Sequence, residues 1–394
     1  MASLEGANHT FGDNCVAFEK EFAAWNGNKH AVTTNSGTAA LHMAVAACGC
    51  GAGDEVIVPA YSWTSSATCI LHHNSIPVFV DIDWATMNID VSKIEAAITA
   101  KTKAIMVVHL HGLAADMERI LEIAGRHNLN VIEDACQSHG AEFRGRKVGL
   151  WGDCAAFSFN QNKCLCSGEG GMFVTDDADL AARARMVWSF GETRSPVENR
   201  DYHAYALGWM YRNNDLTAAF GRAQLTKLDA YLAAQQRNAQ ALLQELDGIP
   251  GLVVPVEPEG YKHNWYNFTV RLDPESFGYA GPPARFRDVV KKAIQAEGAP
   301  VGLWQIYPLP AMTVFQAKNA YGRGCPWDCP HTERVSYDVA DYPVAQKHSD
   351  THFGMTGPLR SPNDESVARA AGSAIRKVME HVDDLDIDRL AGGG

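Results

Sequence analysis

No basic stripe runs through this chain. Lys and Arg number 34 against 46 Asp and Glu, a net charge of −12 over 394 residues. Such a chain repels a phosphate backbone, so nucleic acid is not an expected partner. Charge is missing altogether from two long stretches, His30 to Gly53 and Val56 to Val80. Both are studded with Ser, Thr, Asn, Gly or Pro, and their backbone polar groups need internal partners. They read as buried core elements and not as membrane spans, so no membrane partner is expected. The first eight residues, Met-Ala-Ser-Leu-Glu-Gly-Ala-Asn, lack a basic start and an apolar core, so no signal peptide is expected. The ten cysteines follow no regular spacing and several sit in apolar runs, which fits reduced thiols in a cytoplasmic protein. Cys325, Cys329 and His331 lack the second Cys/His pair of a structural zinc site, so a surface loop is expected there and no metal. The phosphate loop pattern GxxxxGKS/T is missing. Gly49, Gly51 and Gly53 read as a turn ending a helix and do not make GxGxxG, so a nucleotide enzyme is poorly supported.

What the chain does have is length and apolar residues. At 394 residues, 46% apolar and 20% charged, it is globular and long enough for two domains. There is no internal repeat and no low-complexity linker. Between about 30 and 176, short β-rich runs alternate with helical patterns. Strands are expected at Glu55–Ala60, Pro77–Val80, Ala104–Leu110, Val131–Ala135, Ala155–Phe159 and Met172–Thr175, with helices at Thr64–His72 and Asp116–His127. Repeated strand–helix–strand units imply an α/β domain with a large, mostly parallel sheet covered by helices. Leu216 to Leu246 reads as one long helical stretch, stopped by Asp247-Gly248-Ile249-Pro250-Gly251. Beyond it, Tyr266–Leu272 and Val301–Ile306 are strand-like, and Ala284–Glu297 and Glu365–Val382 helical. The expected division is a large domain at 1–250 and a smaller C-terminal α+β domain at 251–394.

In open α/β sheets ligands bind beyond the carboxyl ends of the strands. The polar residues there are Ser36-Gly37-Thr38, Tyr61-Ser62-Trp63, Asp134 with Gln137, and Ser158 to Lys163. Ser36-Gly37-Thr38 opens a helix-forming run, so it is either an ordinary cap or an anion cradle. Lys163 follows a strand. It either snorkels to the surface or is a desolvated amine able to form a Schiff base. Asp134 ends an apolar strand and needs a partner, which an Arg, a helix N-terminus or a protonated pyridine nitrogen would supply. Together these positions offer a phosphate cradle, an aromatic face, a buried carboxylate and an amine. Pyridoxal 5'-phosphate requires all four.

Six ordered motifs carry a resemblance: TNSGTAAL (34–41), GDEVIVPAYSW (53–63), PVFVDID (77–83), HLHGLAADM (109–117), VIEDACQSHGA (131–141) and FSFNQNKCLCSGEGG (157–171), extended by LGWMYRNNDLTAAFG (207–221). The chain resembles the DegT/DnrJ/EryC1/StrS sugar aminotransferases, pyridoxal phosphate enzymes of fold type I with a seven-stranded sheet. The resemblance implies that Lys163 is the Schiff-base lysine and proton carrier. It implies that Asp134 pairs with the ring nitrogen, Gln137 with the ring hydroxyl and Trp63 with the ring face, while Gly37, Thr38 and Ser158 hold the phosphate. It also implies a homodimer with the active site at its interface, completed by the segment matching 208–213. The family usually has Asn where Met210 stands, and Asn213 or Asn214 are the possible substitutes.

Three further residues are substrate candidates. His109 follows a strand and either touches substrate or is a satisfied core histidine, Arg212 either meets an anionic group or pairs with an acid, and the resemblance implies that Tyr307 falls where the smaller domain faces the cleft. The expected activity is transfer of an amino group to a keto-sugar or cyclitol ketone, with ping-pong kinetics, and the resemblance implies glutamate or glutamine as the donor. Two alternatives share the cofactor residues: another pyridoxal phosphate reaction on an amino acid or amino sugar, such as elimination, oxidation or deamination, and a non-catalytic cofactor-binding regulator.

Overall fold

The computed structural model describes residues 9–193, 202–387 and 390. The chain opens with α1 (Asp13–Asn26), β1 (His30–Thr34) and α2 (Gly37–Ala47), followed by β2 (Glu55–Pro59), α3 (Ser65–Leu71) and β3 (Ile76–Val80). Next come β4 (Thr102–Val108), α4 (Met117–His127), β5 (Asn130–Asp134), β6 (Cys154–Ser158), β7 (Gly171–Thr175) and α5 (Ala178–Trp188). These seven strands form one sheet in the order β1-β7-β6-β5-β4-β2-β3. β7 pairs antiparallel with both neighbours, and the β6-β5, β5-β4, β4-β2 and β2-β3 pairs are parallel.

Alternation along each strand feeds two cores. Val56, Val58, Ala104, Met106 and Val108 face one side, packed under α2, α3 and α5. Ile57, Ile105, Val107, Ala155 and Phe157 face the other, under α1 and α4. Burial on both faces explains why these strands carry continuous apolar runs with no charge. The two uncharged stretches carry β1, β3 and all of β2 but its first residue, together with α2 and α3, as a buried-core reading requires.

The second half brings α6 (Asp215–Leu225), α7 (Leu228–Leu246), β8 (Phe268–Leu272), α8 (Pro283–Ala296), α9 (Pro343–Thr351), β9 (His352–Met355) and α10 (Glu365–Glu380). A third core joins the end of α7 to β8, β9, α8 and α10. β8 pairs antiparallel with β9 and with Leu252–Val253. Residues 309–345, past the expected boundary, pack against the large sheet. Leu309, Phe315, Tyr337 and Tyr342 belong to its first core, and Tyr337 donates to the Pro77 carbonyl at 2.8 Å.

Two expectations are corrected. The stretch 216–246 is two helices, broken at Thr226 and Lys227, where the Thr226 hydroxyl bonds back to the Ala223 carbonyl at 2.9 Å and competes with the helical ladder. Residues 301–306 form no strand. Their one ladder contact is a bridge between Gly302 and Gly354.

Candidate active site

The ends of β1, β5 and β6 lie along one edge of the sheet, and a cavity of about 650 Å³ opens there. Its floor is Asp134, the last residue of β5 and 5% exposed. The Ser66 hydroxyl donates to Asp134 Oδ2 at 2.6 Å, and the Cys136 N–H donates to Oδ1 at 3.1 Å. Ser62 meets Ser66 at 2.7 Å, which fixes the serine rotamer. Burial, and after it the Asp134 charge, pushes the Cys136 thiol well above its usual range, so that cavity thiol stays protonated. Next to it, the Gln137 carbonyl oxygen accepts the backbone N–H of His111 at 2.9 Å. A backbone N–H can only donate, so this contact assigns the amide and leaves its NH2 as the donating end.

The cradle is the start of α2. Ser36 caps it, accepting from Ala39 N–H at 3.1 Å, and Gly37 and Thr38 open the first turn. The Thr38 and Ser65 hydroxyls are 2.8 Å apart, so α2 and α3 present their hydroxyls together. Free N–H groups, the helix dipole and these hydroxyls make an anion site. Gly37 is required by contact. A Cβ there would lie 2.6 Å from Ser158 Cβ, 3.0 Å from Ser158 Oγ and 3.1 Å from Cys136 Sγ. Gly37→Ala is therefore expected to displace Ser158 and weaken retention of a phosphate-bearing ligand by roughly tenfold, the worth of about one charged hydrogen bond. Equilibrium titration checks this; unchanged affinity would remove Gly37 from the cradle.

Lys163 follows β6 on a loop closed by its own N–H to the Asn160 carbonyl, 2.8 Å. Its Nζ donates to the Tyr266 hydroxyl at 3.4 Å and sits 4.6 Å from the centre of that ring. Trp63, half-exposed, lines the cavity together with Trp304, ring centres 6.1 Å apart. Behind them the His139 imidazole is pushed down to about 3, by burial first and by the Lys163 charge second. The structure thus gathers all seven expected cofactor residues, Gly37, Thr38, Trp63, Asp134, Gln137, Ser158 and Lys163, around one cavity.

The three substrate candidates are not in its lining. His109 is fully buried, and both ring nitrogens are engaged: Nε2 with Glu133 at 2.9 Å, and Nδ1 with the Ala115 N–H at 3.0 Å. The expected strand stops at Val108, and His109 turns into the core to satisfy Glu133. Arg212 bridges the end of β1 through Thr34, its guanidinium 5.5 Å from the Phe190 ring centre. Tyr307 points outward, and Trp304 of the same irregular segment takes the wall position. Of the two candidates to stand in for Met210, Asn214 caps α6 through the Thr217 N–H at 2.9 Å. Asn213 is buried, its oxygen accepting from the Thr217 hydroxyl at 2.7 Å. Sequence reasoning missed Ser66, Tyr266 and Trp304. Ser66 was legible as the second serine of a buried helix, whereas the other two come from distant segments with no motif.

Residues 1–353 match the DegT/DnrJ/EryC1/StrS aminotransferase family. The chain belongs to this family. Among DegT/DnrJ/EryC1/StrS relatives, it is 47% identical over 258 residues to GDP-perosamine synthase of Caulobacter vibrioides, covering 65% of this chain and 68% of that protein. It is 36% identical over 376 residues to L-glutamine:scyllo-inosose aminotransferase of Streptomyces griseus, covering 93% and 86%. The X-ray structure of DesV from S. venezuelae superposes with a TM-score of 0.83 at 30% identity, covering 96% of this chain and 92% of that one. The sheet order and the antiparallel β7 are thus those of a fold-type-I DegT/DnrJ/EryC1/StrS aminotransferase.

Proposed function

We propose that this aminotransferase moves an amino group from glutamine or glutamate to a keto-sugar or cyclitol ketone, with pyridoxal 5'-phosphate held in the 650 Å³ cavity. One observation carries the reading: a single cavity is lined at once by an amine, a buried carboxylate, a helix N-terminus and an aromatic wall. The residues fit the cofactor. Two neutral donors hold Asp134, so its buried charge calls for a cation, and a protonated ring nitrogen supplies one. When bound, the cofactor supplies an electron sink next to the reacting carbon.

The chain's own groups do the rest. Asp134 would hold a proton on the ring nitrogen. The Gln137 NH2 would donate to the ring oxygen, and the α2 N-terminus with Thr38, Ser65 and Ser158 would bind the phosphate. Trp63 would lie against one ring face. Lys163 Nζ would hold the cofactor and, as a free amine, would carry the proton taken from the donor's α-carbon. The indole of Trp304 offers an apolar face for the flat side of a ring substrate.

A homodimer is the reading we favour. Leu207, Met210, Leu216 and Phe220 are exposed large apolar side chains within one stretch of sequence, and a concentration of exposed apolar residues favours an interaction surface. Ten unbridged cysteines fit a reducing, cytoplasmic setting, and no described helix is long and apolar enough to cross a membrane.

A half-reaction tests the function. Glutamine or glutamate alone should release one keto acid per site and stop. A keto-sugar or cyclitol ketone should then restart turnover and leave as the amine. Release of ammonia without a fixed stoichiometry would instead indicate an elimination or deamination. No change in cofactor absorbance with any amine would indicate a regulator.

A further inference from the structure

Tyr266 carries no role in the sequence motifs, yet it is the group the Lys163 amine touches. Nζ donates to the Tyr266 hydroxyl at 3.4 Å and lies 4.6 Å from the ring centre, so one side chain offers both an acceptor and an electron-rich face to the amine. The Arg360 guanidinium lies 5.7 Å from the same ring centre and bonds the Asn162 carbonyl, which ties the lysine loop to this tyrosine.

The backbone around Tyr266 is built to hold it there. Trp265 has φ of 58°, a left-handed conformation that bulky residues avoid. The unfavourable turn is held from several sides. Gln235 donates to both the Asn264 and Trp265 carbonyls at 2.6 Å, and the Trp265 indole N–H reaches Gln236 at 2.6 Å. The Trp265 ring stacks on His263 at 4.0 Å. Asn264 takes the Tyr266 N–H at 2.8 Å and donates to the Gln137 and His139 carbonyls at 3.0 and 3.1 Å. It packs so closely on the turn after β4 that a Cβ at Gly112 would lie 1.8 Å from its oxygen. A strained residue locked from both neighbours, directly before the group that meets the amine, is the pattern of a preorganised site.

We propose that Tyr266 is a positioning residue for Lys163: its hydroxyl and ring face give the amine a fixed resting place whenever it is not bonded to the cofactor. The proposal rests on the pyridoxal phosphate reading, since it needs Lys163 to be alternately bonded and free. The resting place keeps the amine in the cavity that Asp134 and Gln137 also line.

The test uses Tyr266→Phe, which keeps the ring, and Tyr266→Leu, which removes it, with melting curves to confirm folding. In the cofactor-free full chain, labelling of Lys163 by an amine reagent is read by peptide mass analysis, with the other lysines as internal standards. Tyr266→Phe should label Lys163 roughly threefold to tenfold faster, the range of one lost hydrogen bond. In the loaded enzyme, the donor half-reaction at saturating donor should slow by about 10–100-fold, with cofactor affinity and donor half-saturation within roughly threefold of wild type. An α-deuterated donor should then show a larger isotope effect than in wild type. If Tyr266→Leu fails to fold, Tyr266→Phe still decides. Wild-type labelling, rate and isotope effect in Tyr266→Phe overturn the proposal. A wild type that gains no absorbance band with the cofactor overturns the underlying reading instead, and the labelling experiment does not depend on that band.

Discussion

Lys163→Ala is expected to bind pyridoxal phosphate without the absorbance band of the lysine-bound form and to lose at least about 10³-fold in transamination, because one change removes both the covalent anchor and the proton carrier. The loop should keep its shape. It is pinned by the Lys163 N–H on the Asn160 carbonyl at 2.8 Å, the Asn160 side chain on Glu169 at 2.8 Å and the Ser167 N–H on the Phe159 carbonyl at 2.8 Å, none of which uses the lysine side chain. The phosphate cradle and Asp134 also stay intact, so the cofactor should be retained by dialysis-reversible binding. Absorbance spectra, bound-cofactor fluorescence and single-turnover rates check this. A variant that kept the band, or turned over within tenfold of wild type, would place the anchor at another amine.

Stability should fall steeply as the pH drops from 7.5 to 5.5. Burial pushes eight imidazoles down from 6.5: His42 to about 2, His139 and His263 to about 3, His73 and His352 to about 4, and His72, His111 and His348 in the same direction. For a group lowered in the folded state, the unfolded chain takes the proton first. Its stabilising effect is therefore whole above the unfolded value of 6.5 and is lost as pH falls below it, until the folded value is reached. Each such group loses about 1.4 kcal/mol per pH unit in that window. His42 and His73 sit 4.2 Å apart and do not add fully, so the total is on the order of 5 kcal/mol, comparable to the whole stability of many domains. Glu19, pushed up by burial, works in the opposite sense, one group against eight. Urea midpoints measured across this range check the slope. A midpoint independent of pH would mean these rings take up protons in the folded state.

The sheet was legible because a doubly covered parallel sheet leaves an unmistakable trace. Its strands carry short apolar, often β-branched runs, and the polar residues at and just past their ends collect at one edge. Lys163, Asp134 and Ser36-Gly37-Thr38 could be assembled without coordinates, since the topology that joins them follows from alternating strands and helices. The break at Thr226 was not legible, because helical period continues through it and only the threonine's back-bond interrupts the ladder.

Sequence by itself determined the sheet, the family and the seven residues that line the cavity at the strand ends, because each lies at a fixed offset from a strand end. Tertiary structure alone decided which aromatic groups complete that cavity. Tyr266 and Trp304 come from segments 103 and 141 residues beyond Lys163, counted along the chain, and no local period aims a side chain across such a gap. It likewise decided that His109, a plausible site residue by position, turns inward: a buried Glu133 needs a partner more than the cavity needs an imidazole.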